Sequence, residues 1–238
     1  KRQSEYIDKA INEQSDGIIL SPINADCVRK AVNRAVDAGI TVITTNADIE
    51  GIKRHWCVGA DNAQGAHIAG RMMGLFLGGK GRIAVVSSAI ASENNNCYVQ
   101  LRENEFKRFV RETYPDIQIV TTIDSFEDPQ LTYEKTAQLL RDYQDLQGLY
   151  ITCGGVSQVG RALEESGRAK DIRVISYEDY PEVVEFVRKD VIDCTLAGEI
   201  QKQGEIPVQL IMDHLVFGKQ PENDQIFTEI KVIVKESL

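Results

Sequence analysis

The sequence predicts an α/β protein built as two doubly wound parallel-sheet lobes. Short apolar runs alternate with amphipathic helical segments along the whole chain, the pattern of strands joined by helical crossovers. Nine such runs are present, and 238 residues suit two small sheets better than one wide one. Polar residues gather directly after the apolar runs, where parallel sheets bind ligands.

The first run is Gly17 to Ser21 (GIILS). Val28, Ala31, Val32, Ala35 and Val36 then recur at helical spacing, and Gly39 closes that helix. Strands are expected over 39–45 and 55–59. Asp26 and Asp61 fit helix N-caps, the latter with Gln64 completing a capping box. Ile68, Ala69, Met72, Met73, Phe76 and Leu77 give the helix after Asp61 its apolar face. Further strands are expected over 82–87, 117–123, 148–152, 172–177, 191–197 and 226–234. The helices between them cover 100–112, 130–143, 156–166, 181–189 and 201–217. Pro207 is expected to kink the last of these or to mark its true start. The chain opens inside a helix (Tyr6, Ile7, Ala10, Ile11), so a preceding strand, helix and strand are expected to be missing.

Composition narrows the function. A net charge of -9 argues against this chain holding nucleic acid by itself, because phosphates require a basic face. No run of about 18 apolar residues is present, so no membrane-spanning helix is expected. The cysteines, Cys27, Cys57, Cys97, Cys153 and Cys194, are odd in number and show no C-x-x-C spacing, a usage that suits a reducing compartment. His55, His67 and His214 are scattered, so no metal site is expected, and no cofactor motif is present. "GLFLGGKG" precedes a strand instead of following one. "CGGVSQVG" does follow a strand and open a helix, which suits a phosphate, but it lacks the dinucleotide spacing. No G-x-S-x-G occurs, and no histidine stands at a strand tip beside a nucleophile, so an enzyme is the weaker class.

The strand tips carry Asn46, Asp48, Asn96, Tyr98, Arg102, Phe126 and Glu178. Carboxylates and amides pair with hydroxyls, a guanidinium offers a fork of donors, and an aromatic face covers a C–H face. That mixture suits a polyhydroxylated small molecule. Each residue also has a plain reading as a cap or a solvated loop, and the convergence of several tips is what favours a site.

"SEYIDKAINEQSDGIILSPINAD", "AVDAGITVITTNAD", "VGADNAQGAHIAGRMM" and "RVISYEDYPEVVEFVRKDVIDCTLAGEIQKQGEIPVQLIMDHLVFGKQP" together resemble the type I periplasmic-binding-protein fold over nearly the whole chain. The resemblance implies a ligand cleft between two lobes, crossed by the chain near Val58, Gly198 and Pro221. The lobes would be 1–58 plus 199–221 and 59–198 plus 222–238. Asn46 falls where many sugar binders place an aspartate, Arg102 where an arginine reaches the ligand, Phe126 at an aromatic wall, and Glu178 at the aspartate of a "V-x-G-F" run. Gly154, Gly155 and Gly198 replace polar residues common in the family. The closing "FTEIKVIVKESL" is similar to the tails of LacI/GalR transcriptional regulators. It tips the expectation toward a cytoplasmic, homodimeric effector domain that binds a sugar-like effector and meets DNA only through an N-terminal head absent from this chain. The alternative is a periplasmic sugar-binding protein of an ABC transporter or chemosensory system.

Overall fold

The computed structural model describes residues 2–88, 97–125 and 128–238. Its strands are β1 (Gly17–Leu20), β2 (Thr41–Thr45), β3 (Trp56–Ala60), β4 (Lys80–Ser87), β5 (Asp116–Asp124), β6 (Gly148–Ile151), β7 (Arg173–Tyr177), β8 (Cys194–Gly198), β9 (Gln225–Thr228) and β10 (Ile230–Ile233). Its helices are α1 (Arg2–Asn12), α2 (Asp26–Asp37), α3 (Asn62–Phe76), α4 (Cys97–Thr113), α5 (Pro129–Asp142), α6 (Val156–Ser166), α7 (Pro181–Arg188) and α8 (Ile200–Phe217). The chain forms two compact units: the first takes in the described residues up to 61, Cys97, Tyr98 and 198–229, the second the other described residues.

The first unit holds a four-stranded sheet ordered β1-β2-β3-β9, and every pairing in it is parallel. Alternation along β2 sends neighbouring side chains to opposite faces. Val42 joins Val28, Ala31, Val32 and Ala35 beneath α1 and α2, while Ile43 joins Trp56 and Val58 beneath Ile206, Leu210 and Ile211 of α8. Because both faces are covered, the strands read as unbroken apolar runs. α2 begins one residue earlier in its capping than expected. Ala25 is the cap residue and makes no side-chain bond, while Asp26 is already helical and pairs with Arg29.

α8 runs through Pro207 without ending. Proline cannot donate to the carbonyl four residues back, which here belongs to Gln203. The Thr45 hydroxyl, at the tip of β2, donates to that carbonyl at 2.6 Å. The helix therefore tolerates the proline because the sheet supplies the missing donor.

The second unit holds a six-stranded sheet ordered β10-β8-β7-β6-β4-β5. Ala84, Val86, Leu149, Ile151 and Val174 face α5, α6 and α7. Ile83, Val85, Tyr150 and Ile175 point the other way, toward α3 and α4. α5 starts where Asp128 accepts from the Leu131 amide at 2.7 Å and Pro129 sets the first turn. α3 lies so close to the end of α4 that a Cβ on Gly74 would overlap the Tyr114 ring unless the ring moved. Arg168 donates to the carbonyls of Leu140, Tyr143, Gln144 and Leu146, closing the C-terminal end of α5 and the turn after it.

Two expectations change. The closing strand over 226–234 is two strands, β9 and β10, split at Glu229. β9 hydrogen-bonds beside β3, so residues 225–228 belong to the first sheet and not to the second lobe. A period-two apolar pattern cannot show which sheet a strand joins, because pairing partners distant in sequence leave no mark on it.

Thr45→Val keeps the shape of the side chain and removes its hydroxyl. It is expected to lower unfolding stability by about 1–3 kcal/mol, the cost of stranding a buried acceptor. Urea denaturation measures it, and an unchanged midpoint would show that the Gln203 carbonyl does not need this donor.

Candidate functional site

In the second unit the pairings among β4, β5, β6, β7 and β8 are parallel, so their carboxyl ends share one edge. Ser87, Ser88, Asp124, Ser125, Thr152, Cys153 and Tyr177 stand there, all buried. Glu178 follows Tyr177 and is half-buried. Ser125 Oγ lies 3.4 Å from Cys153 Sγ.

Arg102 reaches this edge from the first turns of α4 and is only 7% exposed. Its Nε donates to Asn62 Oδ1 at 2.7 Å and its Nη1 to the Thr152 carbonyl at 3.3 Å. The Glu178 carboxylate stands 3.8 Å from Nη1. The guanidinium carbon lies 3.7 Å from the centre of the Tyr177 ring. A cation this deeply desolvated needs such partners, and a planar fork meets them with its shape as well as its charge.

Glu178 adopts φ 76°, a left-handed conformation that costs a non-glycine residue on the order of 1–3 kcal/mol. Its backbone is pinned on both sides. The amide donates to the Leu196 carbonyl at 2.8 Å, and the carbonyl accepts from the Thr195 hydroxyl at 2.7 Å. Burial pushes the Glu178 carboxyl up from its ordinary range, Arg102 pulls it down by less, and Asp179 adds to the rise.

The first unit shows the same device at the tip of β2. Asn46 has φ 62°, which asparagine tolerates better than most residues, and its amide donates to the Val58 carbonyl at 2.9 Å. Its side chain is exposed. Asp48 is differently placed. One oxygen accepts from the Thr44 hydroxyl at 3.1 Å and the other pairs with Arg54 Nε at 2.8 Å. Arg54 also reaches Asp224, so Asp48 ties the loop after β2 to the approach to β9. Its carboxylate is engaged in structure.

Of the residues expected at the site, the fold brings Arg102 and Glu178 together. Tyr98 sits half-buried in the first turn of α4. Asn96 and Phe126 lie outside the described residues. Sequence reasoning missed Asn62, Thr152 and Tyr177. Asn62 was legible as the polar residue two past the tip of β3, and Tyr177 as the aromatic that ends β7. Thr152 acts through its backbone and left no such signal.

The histidines are less scattered than their spacing implied. His55 and His214 have ring centroids 6.0 Å apart, both against Trp56. His55 Nδ1 accepts from the Val42 amide, which gives it a structural task. Among the described residues no group of three or more His, Cys, Asp or Glu could hold a metal, and no helix is long and apolar enough to cross a membrane. A groove of about 350 Å³ between α5 and α6 is lined by Tyr133, Leu140, Glu165 and Arg168. Tyr133 bonds Glu165, and Arg168 is spent on four carbonyls, so this is a helix–helix seam and not a binding site.

The family of the periplasmic binding protein domain matches residues 1–220. The chain belongs to that family. The ribose import binding protein of Bacillus subtilis is 20% identical over 228 residues, 92% of this chain and 69% of its own. The structure of an ABC transporter solute-binding protein from Burkholderia graminis, in complex with D-arabinose, superposes with a TM-score of 0.90 at 22% identity, over 98% of this chain and 80% of that one. A glucose-galactose binding protein from Geobacillus stearothermophilus gives a TM-score of 0.88 at 25% identity, over 99% of this chain and 82% of its own. The α/β type I architecture is thereby established.

These comparisons overturn the expectation of a LacI/GalR regulator. The neighbours are sugar-binding proteins of transport systems, and nothing in them supports a DNA-binding head or a homodimer. The tail that tipped the expectation supplies β9 and β10, two edge strands of four residues each. Its polar pattern suits that edge position.

The raised Glu178 carboxyl sets a pH dependence. The folded state holds this proton more tightly than the unfolded chain does, so the group costs nothing well below about pH 4 and destabilises as pH rises past the unfolded value. Glu178→Gln is expected to be more stable than the parent at pH 7.5, with the difference vanishing near pH 4. Denaturation at the two values checks the sign, and a variant less stable at pH 7.5 would contradict it.

Proposed function

We propose that this chain is the solute-binding protein of an ABC sugar transporter and that it captures a monosaccharide or a sugar alcohol of similar size. The observation that carries the reading is Arg102 with Glu178, a desolvated fork of donors beside a half-buried carboxylate at one edge of a parallel sheet. Vicinal hydroxyls match such a pair, each one donating to the carboxylate and accepting from the guanidinium. Asn46, Asn96, Tyr98 and Phe126 are proposed as further ligand contacts. Asp48 holds the loop that carries Asn46.

The relatives' names support the sugar class. They are a ribose import protein, a xylitol-binding protein from Mycolicibacterium smegmatis, and solute-binding proteins with bound D-arabinose, D-fucose and D-allose. In this reading the protein works outside the cytoplasmic membrane, replacing the cytoplasmic location expected at first. It binds its ligand without turnover. A ligand shifts the protein toward whichever state binds it better, by no more than its differential affinity for that state.

Calorimetry with D-ribose, D-arabinose, xylitol, D-glucose, D-galactose, D-fucose and D-allose tests the reading. At least one is expected to bind with a Kd of about 1 μM or tighter, and Arg102→Ala to weaken it about 10- to 100-fold. Absence of binding across the panel would end the proposal.

A further inference from the structure

Arg102 lies over an aromatic ring that the functional reading above leaves without a task. Six other cation–ring contacts are described, and their distances run from 4.5 to 5.7 Å. Arg102 over Tyr177 is at 3.7 Å, and Arg102 and Tyr177 are 7% and 3% exposed. A core tyrosine needs no cation on its face, and a buried cation gains most from a ring when both are desolvated.

The ring itself is held. Tyr150 is fully buried, stacks on Phe106 at 4.0 Å between centroids, and donates its hydroxyl to the Tyr177 hydroxyl at 3.2 Å. A Cβ on Gly65 would fall 2.8 Å from that hydroxyl oxygen, so α3 closes over it as well. Asn62 and the Thr152 carbonyl then take donors along the guanidinium edge. Ring and edge partners together determine both the plane of the guanidinium and its rotation within that plane.

We propose that Tyr177 is a positioning residue for ligand binding: its ring is the platform that orients the Arg102 guanidinium toward the sugar, with Tyr150 fixing the ring. This rests on the reading of Arg102 as a ligand contact. Both phenols stay neutral across the physiological range, because burial is the first cause raising each, so the platform does not change charge with pH.

Four proteins test it: the parent, Tyr177→Phe, Tyr177→Leu and Arg102→Ala. The probe is whichever sugar of the seven-member panel binds the parent tightest. Tyr177→Leu is expected to weaken binding about 5- to 30-fold, while Tyr177→Phe, which keeps the ring, stays within about threefold. A second readout needs no ligand. In the sugar-free protein the Arg102 Nε–H proton resonance should be displaced upfield by the ring below it, and the displacement should survive in Tyr177→Phe and disappear in Tyr177→Leu. The proposal is overturned if Tyr177→Leu binds like the parent while Arg102→Ala does not, or if the phenylalanine and leucine variants lose equally. Intact binding in Arg102→Ala overturns the site reading itself, and the proton resonance then still reports whether the ring holds the guanidinium.

Discussion

A guanidinium almost wholly out of water is the constraint on which the second unit's functional edge depends. A buried guanidinium is costly to leave unpaired, so the surrounding chain must meet Arg102 from several elements at once. Asn62 comes from the head of α3, the Thr152 carbonyl from the end of β6, and Tyr177 and Glu178 from the end of β7. These pieces converge only because the pairings from β5 to β8 are parallel and bring their carboxyl ends to one edge. In an antiparallel sheet half of them would lie at the far end. Sheet topology and cation burial are thus two sides of one requirement.

The backbone bends to the same end. Asn46 and Glu178 are two of four non-glycine residues with positive φ among the described residues. Both stand one residue beyond the end of a strand, and both are fixed by a hydrogen bond from their own amide to a neighbouring strand. A left-handed residue there turns the side chain out of the pleat just where alternation would otherwise have chosen its direction. Strain of this kind persists only where surrounding bonds over-determine it, which makes it a mark of a position that the fold has reason to hold.

How far this was legible in the sequence depended on range. Apolar runs and helical spacing report local conformation, so strand and helix positions from GIILS to β8 could be read directly, and α6 could be placed to the residue. Arg102 and Glu178 were legible because each follows a strand by a fixed, short interval. What could not be read was pairing. β9 looked like the start of one long closing strand, yet its partner β3 lies far back in the chain. The ion pairs of Arg54 with Asp48 and with Asp224 could not be read either, because the fold brings the three together. Tyr177 could be read only as the aromatic that ends a strand, since nothing local marks the cation above it. The tail misled for a different reason: a short polar edge strand looks the same in proteins of unlike function.

The proline inside α8 makes two distant positions answerable to one another. With Pro207 in place, the Thr45 hydroxyl fills a vacancy in the helix ladder. With an alanine there, the helix would fill the vacancy itself and Thr45 would be released to vary. Substitutions at the two sites are therefore not additive, and a double-mutant cycle between them would show a coupling energy carried through the Gln203 carbonyl. Across a lineage, such a pair drifts together or not at all. The hydroxyl at the tip of β2 is held in the sequence by a ring in a helix, one that the chain reaches only after most of the second unit.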